Sequence, residues 1–241
     1  MNDLRLVTYV TADPCIFETR WMTGLLRRGR VRPCLPYLTD GHTAAELAAA
    51  EHLLIHRNVC GHNKAGAGLR LFFSRPTIRP LLEGKAPKGF LAPYANFLRT
   101  RFRGAQVEHD SGPHSWADAM CVSDHDDIAV DRPPGTVLEI KGLGPVELTV
   151  HAIEQYIRRF ERPPARAWRE LTRIAAEVQP ARIVGRNFMS DLKHRCQGHY
   201  LLEPKRRVLL VIADPDRVGA RRRIVTIIKA GDNVRLLSPA V

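Results

Sequence analysis

Residues 149–160 read TVHAIEQYIRRF and open the part of the chain that decides its fold. Thr149 suits the N-cap of a helix, because its hydroxyl can accept a hydrogen bond from a free amide of the first turn. Apolar residues then recur at helical spacing, which predicts one buried face: Val150, Ile153, Ile157 and Phe160. Two prolines, Pro163 and Pro164, end this helix and begin a second one, since proline is tolerated in a first turn. The second helix has its own apolar face: Trp168, Leu171, Ala175 and Val178.

Apolar segments after the two helices predict the strands of a small, mostly antiparallel sheet. Residues 208–212 read VLLVI and are apolar on both faces, so we expect this strand to be central and covered by the helices. The basic segment at residues 204–207 predicts a hairpin turn before it. The expected strands are residues 199–203, 208–213, 223–228 and 234–237, with a short strand near residue 183.

Residues 1–145 predict a separate α/β domain whose role the residues do not indicate. Residues 17–26 carry large apolar side chains four positions apart, which predicts a helix: Phe17, Trp21 and Leu25. Thr43 and Glu46 match a capping box at the start of another helix. Residues 108–135 are acidic and rich in Gly and Pro, and predict a loop. The expected fold class is therefore α+β in two units, 1–145 and 146–241.

Positive charge is concentrated in the second unit. The chain has a net charge of +12, with 37 Lys and Arg against 25 Asp and Glu. Residues 146–241 hold 19 of these cations and 10 of the anions, which leaves 18 cations and 15 anions for residues 1–145. A surplus confined to one unit favours a polyanionic partner, most simply nucleic acid.

Several other classes of protein are disfavoured by the sequence. No apolar run approaches the length of about 18 residues that a membrane helix needs, and the first residues do not resemble a signal peptide. We therefore expect a cytoplasmic protein without a membrane partner. The five cysteines are scattered, with no C-x-x-C pair for a standard zinc ribbon or a thioredoxin-type site.

Residues 147–230 resemble the small ribonuclease toxins of the RelE and BrnT type. The resemblance rests on Thr149, His151 and Ala152, on Arg158 or Arg159, and on the segment IVTI at residues 224–227. It implies metal-independent cleavage of RNA, with no cofactor. The family pattern often has Arg where this chain has Gln155, so the phosphate contact is either missing or moved to Arg158 or Arg159.

Such cleavage needs a general base for the ribose 2′-hydroxyl, cations for the phosphoryl oxygens and an acid for the leaving oxygen. His151 is the first candidate for a proton role, because histidine titrates near neutrality. Tyr200 and His194 are candidates for the second. The candidate phosphate contacts are Arg158, Arg159, Lys193, Arg195 and Arg207. Nucleic-acid contacts are expected more generally from the basic segments: Arg195, Arg206, Arg207, Arg221, Arg222 and Arg223.

Two alternatives remain open at the level of sequence. The chain is also compatible with a noncatalytic protein, of phage or plasmid type, that engages nucleic acid or a nucleic-acid-processing complex and binds a protein partner through residues 1–145. A third hypothesis makes the first unit an enzyme with zinc at His52, His56, Cys60 and His62. Because this spacing matches no standard finger, we expect no metal. Carboxylates and histidines at residues 109–127 are a weaker candidate for a divalent cation.

Overall fold

The computed structural model describes residues 2–24, 27–36, 38–61, 65–85, 89–120, 125–183, 198–215 and 218–237. The chain divides into two compact units, Met1–Gly135 and Thr136–Val241. The division falls ten residues before the expected boundary at residue 145, because the strands Val137–Ile140 and Gly144–Leu148 are hydrogen-bonded into the second sheet.

The first unit is a mixed sheet with helices between its parallel strands. Its strands are β1 (Asn2–Val10), β2 (Phe17–Thr23), β3 (Arg27–Cys34), β4 (Leu69–Phe73), β5 (Gln106–His109) and β6 (His125–Ala129). Its helices are α1 (Gly41–Glu51), which continues into a π-helical turn over His52–His56, α2 (Ile78–Leu82), a 3-10 helix over Gly89–Ala95, α3 (Asn96–Arg99) and α4 (Ser115–Asp118). Among the described residues the strand order is β5-β4-β1-β2-β3-β6.

The connections explain the strand directions in this sheet. β1, β2 and β3 follow one another through short connections and pair antiparallel. β4 pairs parallel with β1, β5 with β4 and β6 with β3, each after a longer connection. The core lies between the sheet and α1, whose alanines are buried and keep the helix close to the strands. Leu6, Leu47 and Phe73 are among its fully buried side chains.

Residues 17–23 form the strand β2, so the predicted helix is wrong there. Side chains along β2 alternate between buried and half-buried, with Phe17 and Trp21 on the buried face. A spacing of four residues fits a strand of period two as well as a helix, and pairing with β1 and β3 decides for the strand. Leu25 lies outside the described residues.

The predicted capping box is also wrong. The N-cap of α1 is Asp40, and no side chain caps this helix end. Thr43 and Glu46 lie inside the helix and are buried, with the Thr43 hydroxyl 3.1 Å from that of Thr77. The expected loop at residues 108–135 contains the end of β5 together with α4 and β6.

The second unit confirms the predicted α+β class. Its strands are β7 (Val137–Ile140), β8 (Gly144–Leu148), β9 (Gln179–Ile183), β10 (Gly198–Glu203), β11 (Val208–Ala213), β12 (Arg223–Lys229) and β13 (Val234–Leu236), and its helices are α5 (Val150–Phe160) and α6 (Pro164–Glu177). In the described part of this unit the strand order is β13-β9-β10-β11-β12-β8-β7, with β12 and β8 parallel and the other pairs antiparallel.

Local signals predicted this unit well. The Thr149 hydroxyl accepts a hydrogen bond from the Ala152 amide at 3.1 Å, which confirms the N-cap. The expected apolar face of α6 is buried. The buried face of α5 is centred on Ala152, Ile153 and Tyr156, and only Ile153 of the expected face is fully inside. β11 is central and buried, between β10 and β12. No helix in the described ranges has the length and apolar character needed to cross a bilayer.

Candidate nucleic-acid interface

The second unit contains a cavity of about 410 Å³, and half of the residues that line it are cations. The cations come from three places along the chain: the end of α5, the turn before β11 and the end of β12. We call this cavity the basic pocket, and its lining residues are Tyr156, Arg159, Phe160, Glu161, Arg162, Arg206, Val208 and Lys229. Four of these eight side chains are Arg or Lys, and one is a carboxylate.

Two hydrogen bonds align α5 along β12 and place Arg159 in the basic pocket. Near the start of the helix, the Thr149 hydroxyl donates to the Ile224 carbonyl at 2.8 Å. Near its end, Arg159 Nη1 donates to the Ile227 carbonyl at 2.8 Å. Burial, followed by the charge of the neighbouring Arg158, lowers the pKa of Arg159. A bound anion would relieve this repulsion and take up guanidinium N–H donors that Ile227 does not use.

The inner wall of the basic pocket is held by a buried tyrosine. The Tyr156 hydroxyl donates to Glu170 Oε2 at 2.7 Å, and burial followed by this bond raises the pKa of Tyr156. Its ring lies 5.0 Å from that of Phe160. Arg162 Nε lies 3.3 Å from the same Glu170 oxygen, so the charge of Arg162 is partly neutralised. The less compensated cations of the pocket are therefore Arg159, Arg206 and Lys229.

The predicted turn at residues 204–207 is confirmed, and a buried carboxylate shapes it. Glu203 is fully buried and accepts hydrogen bonds from the backbone amides of Lys205 and Arg206, at 3.1 and 2.7 Å. The exposed side chain of Arg206 is thereby placed at the rim of the basic pocket. Arg207 has a left-handed backbone and donates to the Gly231 carbonyl, so one predicted nucleic-acid contact is engaged in holding the neighbouring turn.

A second polar cluster lies at the opposite end of β12. His199 Nε2 and Arg222 Nε lie 3.3 and 2.8 Å from the same oxygen of Asp214, and we call these three residues the His199 cluster. The hydrogen bond from Arg222 lowers the pKa of the Asp214 carboxyl. Arg221 and Arg223 adjoin this cluster in the chain, so all three predicted arginines of this segment lie away from the basic pocket.

Among the described residues, the predicted catalytic side chains do not come together in a single site. His151 is exposed, and none of the described residues forms a hydrogen bond or ion pair with it. It lies near the start of β12, as does the His199 cluster, because Thr149 bonds Ile224. Arg159 follows His151 by eight residues, about 12 Å along the helix axis. The imidazole and the pocket arginine are thus at different ends of α5.

The other predicted site residues have varied surroundings. Arg158 is exposed and donates to the Gln155 side chain at 2.7 Å. Tyr200 is half-buried and packs against the small core cluster around Leu202 and Leu209. Lys193, His194 and Arg195 lie outside the described residues, so their predicted roles stay predictions.

The alternative zinc ligands that the structure describes, His52, His56 and Cys60, have separate partners. His52 Nε2 lies 3.3 Å from Asp126, and His56 Nε2 lies 3.7 Å from Glu51. Cys60 lines a different cavity, where its sulfur is 3.9 Å from the Thr23 hydroxyl. Within the described ranges, no group of three or more His, Cys, Asp and Glu side chains could hold a metal ion. His62 lies outside them.

The acidic side chains that were the weaker candidate for a cation site are bound by other side chains of the first unit. Asp110 pairs with Arg5 at 2.9 Å, and Asp118 accepts a hydrogen bond from the Tyr9 hydroxyl at 2.8 Å. Asp126 is bound by Arg57 through both of its oxygens. The arginines neutralise Asp110 and Asp126, and the Tyr9 hydroxyl occupies one oxygen of Asp118.

Sequence reasoning missed Arg162 and Lys229 in the basic pocket, and His199 and Asp214 in the second cluster. Lys229 and Arg162 are single cations at the ends of elements, and their separation of 67 positions carries no local signal. His199 and Asp214 meet because β10 and β11 pair antiparallel, with Gly198 opposite Ala213. A register worked out from the hairpin turn would have placed these two residues together.

Comparisons with known proteins give one structural match. No family model matches the chain, and no curated protein matches it. Among solved structures, the chain is similar to the RNase H1 of the halophilic archaeon Halobacterium salinarum NRC-1, with 14% sequence identity and a TM-score of 0.37. The match covers 48% of this chain and 89% of that one. At this TM-score the two proteins are not shown to share a fold.

Proposed function

We propose that this is a nucleic-acid-interacting protein whose second unit binds phosphates, RNA being favoured, in the basic pocket. The observation that carries the proposal is the convergence of Arg159, Arg162, Arg206 and Lys229 on one cavity. Glu161 in the lining and Glu170 behind it do not balance four cations. Phosphate is the anion that fits this arrangement, because guanidinium groups bind its oxygens through paired N–H donors.

The preference for RNA comes from the resemblance of residues 147–230 to RelE- and BrnT-type ribonucleases. The pocket geometry supports contact with the backbone of a single strand, since it offers cations beside the half-buried ring of Phe160. Cations that track phosphates and an aromatic ring that packs against a base are the usual elements of single-strand binding.

Charge reversal at the pocket rim tests the binding proposal. Fluorescence anisotropy with a labelled 20-nucleotide RNA would compare the parent with an Arg206→Glu/Lys229→Glu variant. The matched control is Arg169→Glu/Arg173→Glu, which makes the same charge change on the exposed side of α6. We expect the pocket variant to bind the RNA at least about tenfold more weakly than the parent. The slope of log affinity against log salt concentration should become less steep by about 0.7 for each phosphate contact that is lost. If both variants lose the same amount of RNA affinity, binding depends only on nonspecific charge attraction, and the proposal that RNA binds in the basic pocket is rejected.

A second candidate function is toxin-like, metal-independent cleavage of RNA. It is favoured by the exposed imidazole of His151, which has no partner among the described residues and lies at the end of α5 toward the His199 cluster. In this function His151 removes or donates a proton, and Lys193 is the phosphate contact that the resemblance implies. The 2′-oxygen attacks phosphorus while the bond to the 5′-oxygen breaks, which yields a cyclic phosphate and a free 5′-hydroxyl.

An assay in EDTA separates cleavage from binding. The parent and a His151→Ala variant are incubated with a mixed RNA pool, and the RNA termini are analysed. Cleavage by the parent that is lost in the variant, with binding retained, supports the ribonuclease. Binding without cleavage in both proteins supports the noncatalytic alternative, a phage- or plasmid-type protein that engages nucleic acid or a nucleic-acid-processing complex. In that alternative the first unit contacts the protein partner.

A further inference from the structure

The first unit contains a cavity that the proposed nucleic-acid interface does not use. It has a volume of about 460 Å³, which is within the range of sites for small molecules. We call it the histidine cavity, and it is lined by the C-terminal part of α1, the π-helical turn and the segment that follows β6. The residues that matter for its chemistry are Glu51, His52, His56, Val130 and Arg132.

The π-helical turn presents both histidines to this cavity. Single π-turns within helices occur frequently at functional sites, since they change the direction of the side chains that follow. Here the rings of His52 and His56 lie 5.7 Å apart and 33° from parallel. His52 is fixed by Asp126, which Arg57 binds through both oxygens, so one imidazole is held firmly at the wall. The other, His56, is mostly exposed and stands at the mouth.

A largely buried carboxyl group provides the hydrogen-bond acceptor of the cavity. The side chain of Glu51 is only 14% exposed, and its Oε2 lies 3.7 Å from His56 Nε2. Burial raises the pKa of Glu51, while the charges of His56 and Arg101 act in the opposite direction. At 3.7 Å the contact with His56 is too long for a good hydrogen bond, so the carboxyl group retains acceptor capacity for a ligand.

The remaining lining combines an apolar wall with one cation. Ile128, Val130 and Pro134 contribute aliphatic surface, and Val130 is buried in the core of the unit. Arg132 is exposed and is the guanidinium of the lining. The cavity therefore offers an acceptor, imidazole rings beside aliphatic groups, and a cation.

We propose that the histidine cavity binds a single nucleotide whose base carries two adjacent N–H donors at its pairing edge. The base, guanine, lies between the imidazole rings and the aliphatic wall, with its N–H groups donating to Glu51. The phosphate binds Arg132. Guanine fits best, because its adjacent N1–H and N2–H donors match the two oxygens of one carboxylate. This site lies in the first unit and does not depend on the function proposed for the basic pocket.

Calorimetric titration of the full-length protein with mononucleotides tests this proposal. The ligands are GMP, CMP, AMP and UMP. Guanosine, which lacks the phosphate of GMP, and ribose 5-phosphate, which lacks its base, are titrated as well. We expect GMP to bind most tightly, CMP and AMP less tightly because the pairing edge of each offers one amino group, and UMP and ribose 5-phosphate weakly. Arg132→Ala removes one charge-assisted contact to the phosphate. It should weaken the affinity for GMP about tenfold to a hundredfold and leave the affinity for guanosine unchanged. Glu51→Gln should weaken both GMP and guanosine.

Two control variants make the result specific. Arg79→Ala removes an exposed arginine elsewhere in the first unit and should not change the affinity for GMP. Arg206→Glu/Lys229→Glu should also leave it unchanged, which keeps the test separate from RNA binding by the second unit. The proposal is overturned if no GMP binding is measurable below about 1 mM. It is equally overturned if all four nucleotides bind alike, if Arg132→Ala has no effect, or if the basic-pocket variant abolishes binding.

Discussion

Glu46 Oε1 accepts two hydrogen bonds from Ser74, one from its backbone amide and one from its hydroxyl, each at 2.9 Å. The first residue is in the middle of α1 and the second directly follows β4, so the pair joins the central helix of the first unit to the end of a strand. The carboxyl group is fully buried, and its other oxygen, Oε2, has no hydrogen-bond partner within the described part of the chain. This arrangement favours a protonated side chain.

The first prediction concerns the pH dependence of stability. Burial raises the pKa of Glu46 from 4.5 to about 7, against the opposing effect of the Ser74 hydrogen bonds. Because the folded state then keeps a proton that the unfolded state loses, stability should fall as the pH rises from about 4.5 to 7. The full effect corresponds to about 3 kcal/mol. Glu46→Gln cannot ionise, and urea denaturation at pH 5 and pH 8 should show this loss in the parent only.

The comparison between parent and variant isolates Glu46 from other titrating groups. His42 is also affected by its surroundings, since burial and then the charge of Arg75 lower its pKa, but this histidine is present in both proteins. Glu177→Gln changes an exposed glutamate at the end of α6 and should leave the pH dependence of the parent intact. An equal pH dependence in parent and Glu46→Gln would contradict a neutral buried carboxyl group.

The second prediction concerns the start of α5. Thr149→Ala removes the N-cap bond to Ala152 and the bond to the Ile224 carbonyl. We expect the free energy of unfolding to fall by about 1–2 kcal/mol, the usual cost of losing a threonine cap. Thr172→Ala is the matched control, because the Thr172 hydroxyl only donates to the Trp168 carbonyl within α6. If both substitutions cost the same, the cap does not anchor this helix.

The third prediction concerns the pairing of β10 with β11. A Cβ atom on Gly198 would overlap the backbone carbonyl of Ile212, which cannot move away as a flexible side chain can. Gly198→Ala should therefore destabilise the second unit by about 1–3 kcal/mol, as overpacking does elsewhere. Gly89→Ala meets no atom of the described residues within 4 Å and should be close to neutral. Thermal denaturation of both variants measures the difference, and a neutral Gly198→Ala would show that the register differs.

The fourth prediction concerns Tyr9 on the first strand. Burial, then the hydrogen bond to Asp118, raises the pKa of Tyr9 to about 12. Asp118→Ala should lower this pKa toward the ordinary value near 10, although the burial that remains should keep it above that value. NMR titration of the ring carbon that bears the hydroxyl measures the shift directly. Asp131→Ala, an exposed aspartate of the same unit, should leave the Tyr9 titration unchanged.

Patterns within a few residues of each other predicted most of the second unit. The N-cap at Thr149, the proline-marked start of α6 and the doubly apolar strand at residues 208–212 each depend on interactions between chain neighbours. The first unit was predicted less well. Phe17 and Trp21 fit both a helix and a strand, and Thr43 with Glu46 matched a motif whose residues are engaged in the core instead.

The candidate site was also predicted only where local sequence features indicated it. The sequence named Arg159 and Arg206 as candidate nucleic-acid contacts, since basic residues near turns and helix ends are visible along the chain, and both line the basic pocket. It also grouped His151 with Arg159, and the helix separates them. The residues that complete each cluster, Lys229 in one and Asp214 in the other, come from strands distant in sequence.

The sequence by itself determined the basic character of residues 146–241, the α+β class, the two helices and the central strand, because composition, capping and hydrophobic period act locally. Only the tertiary structure decided which cations share a cavity, because strand order and register bring together residues that the chain keeps apart. It also decided that a glutamate resembling a helix cap is a buried acid, since burial depends on the whole unit and not on the neighbouring residues.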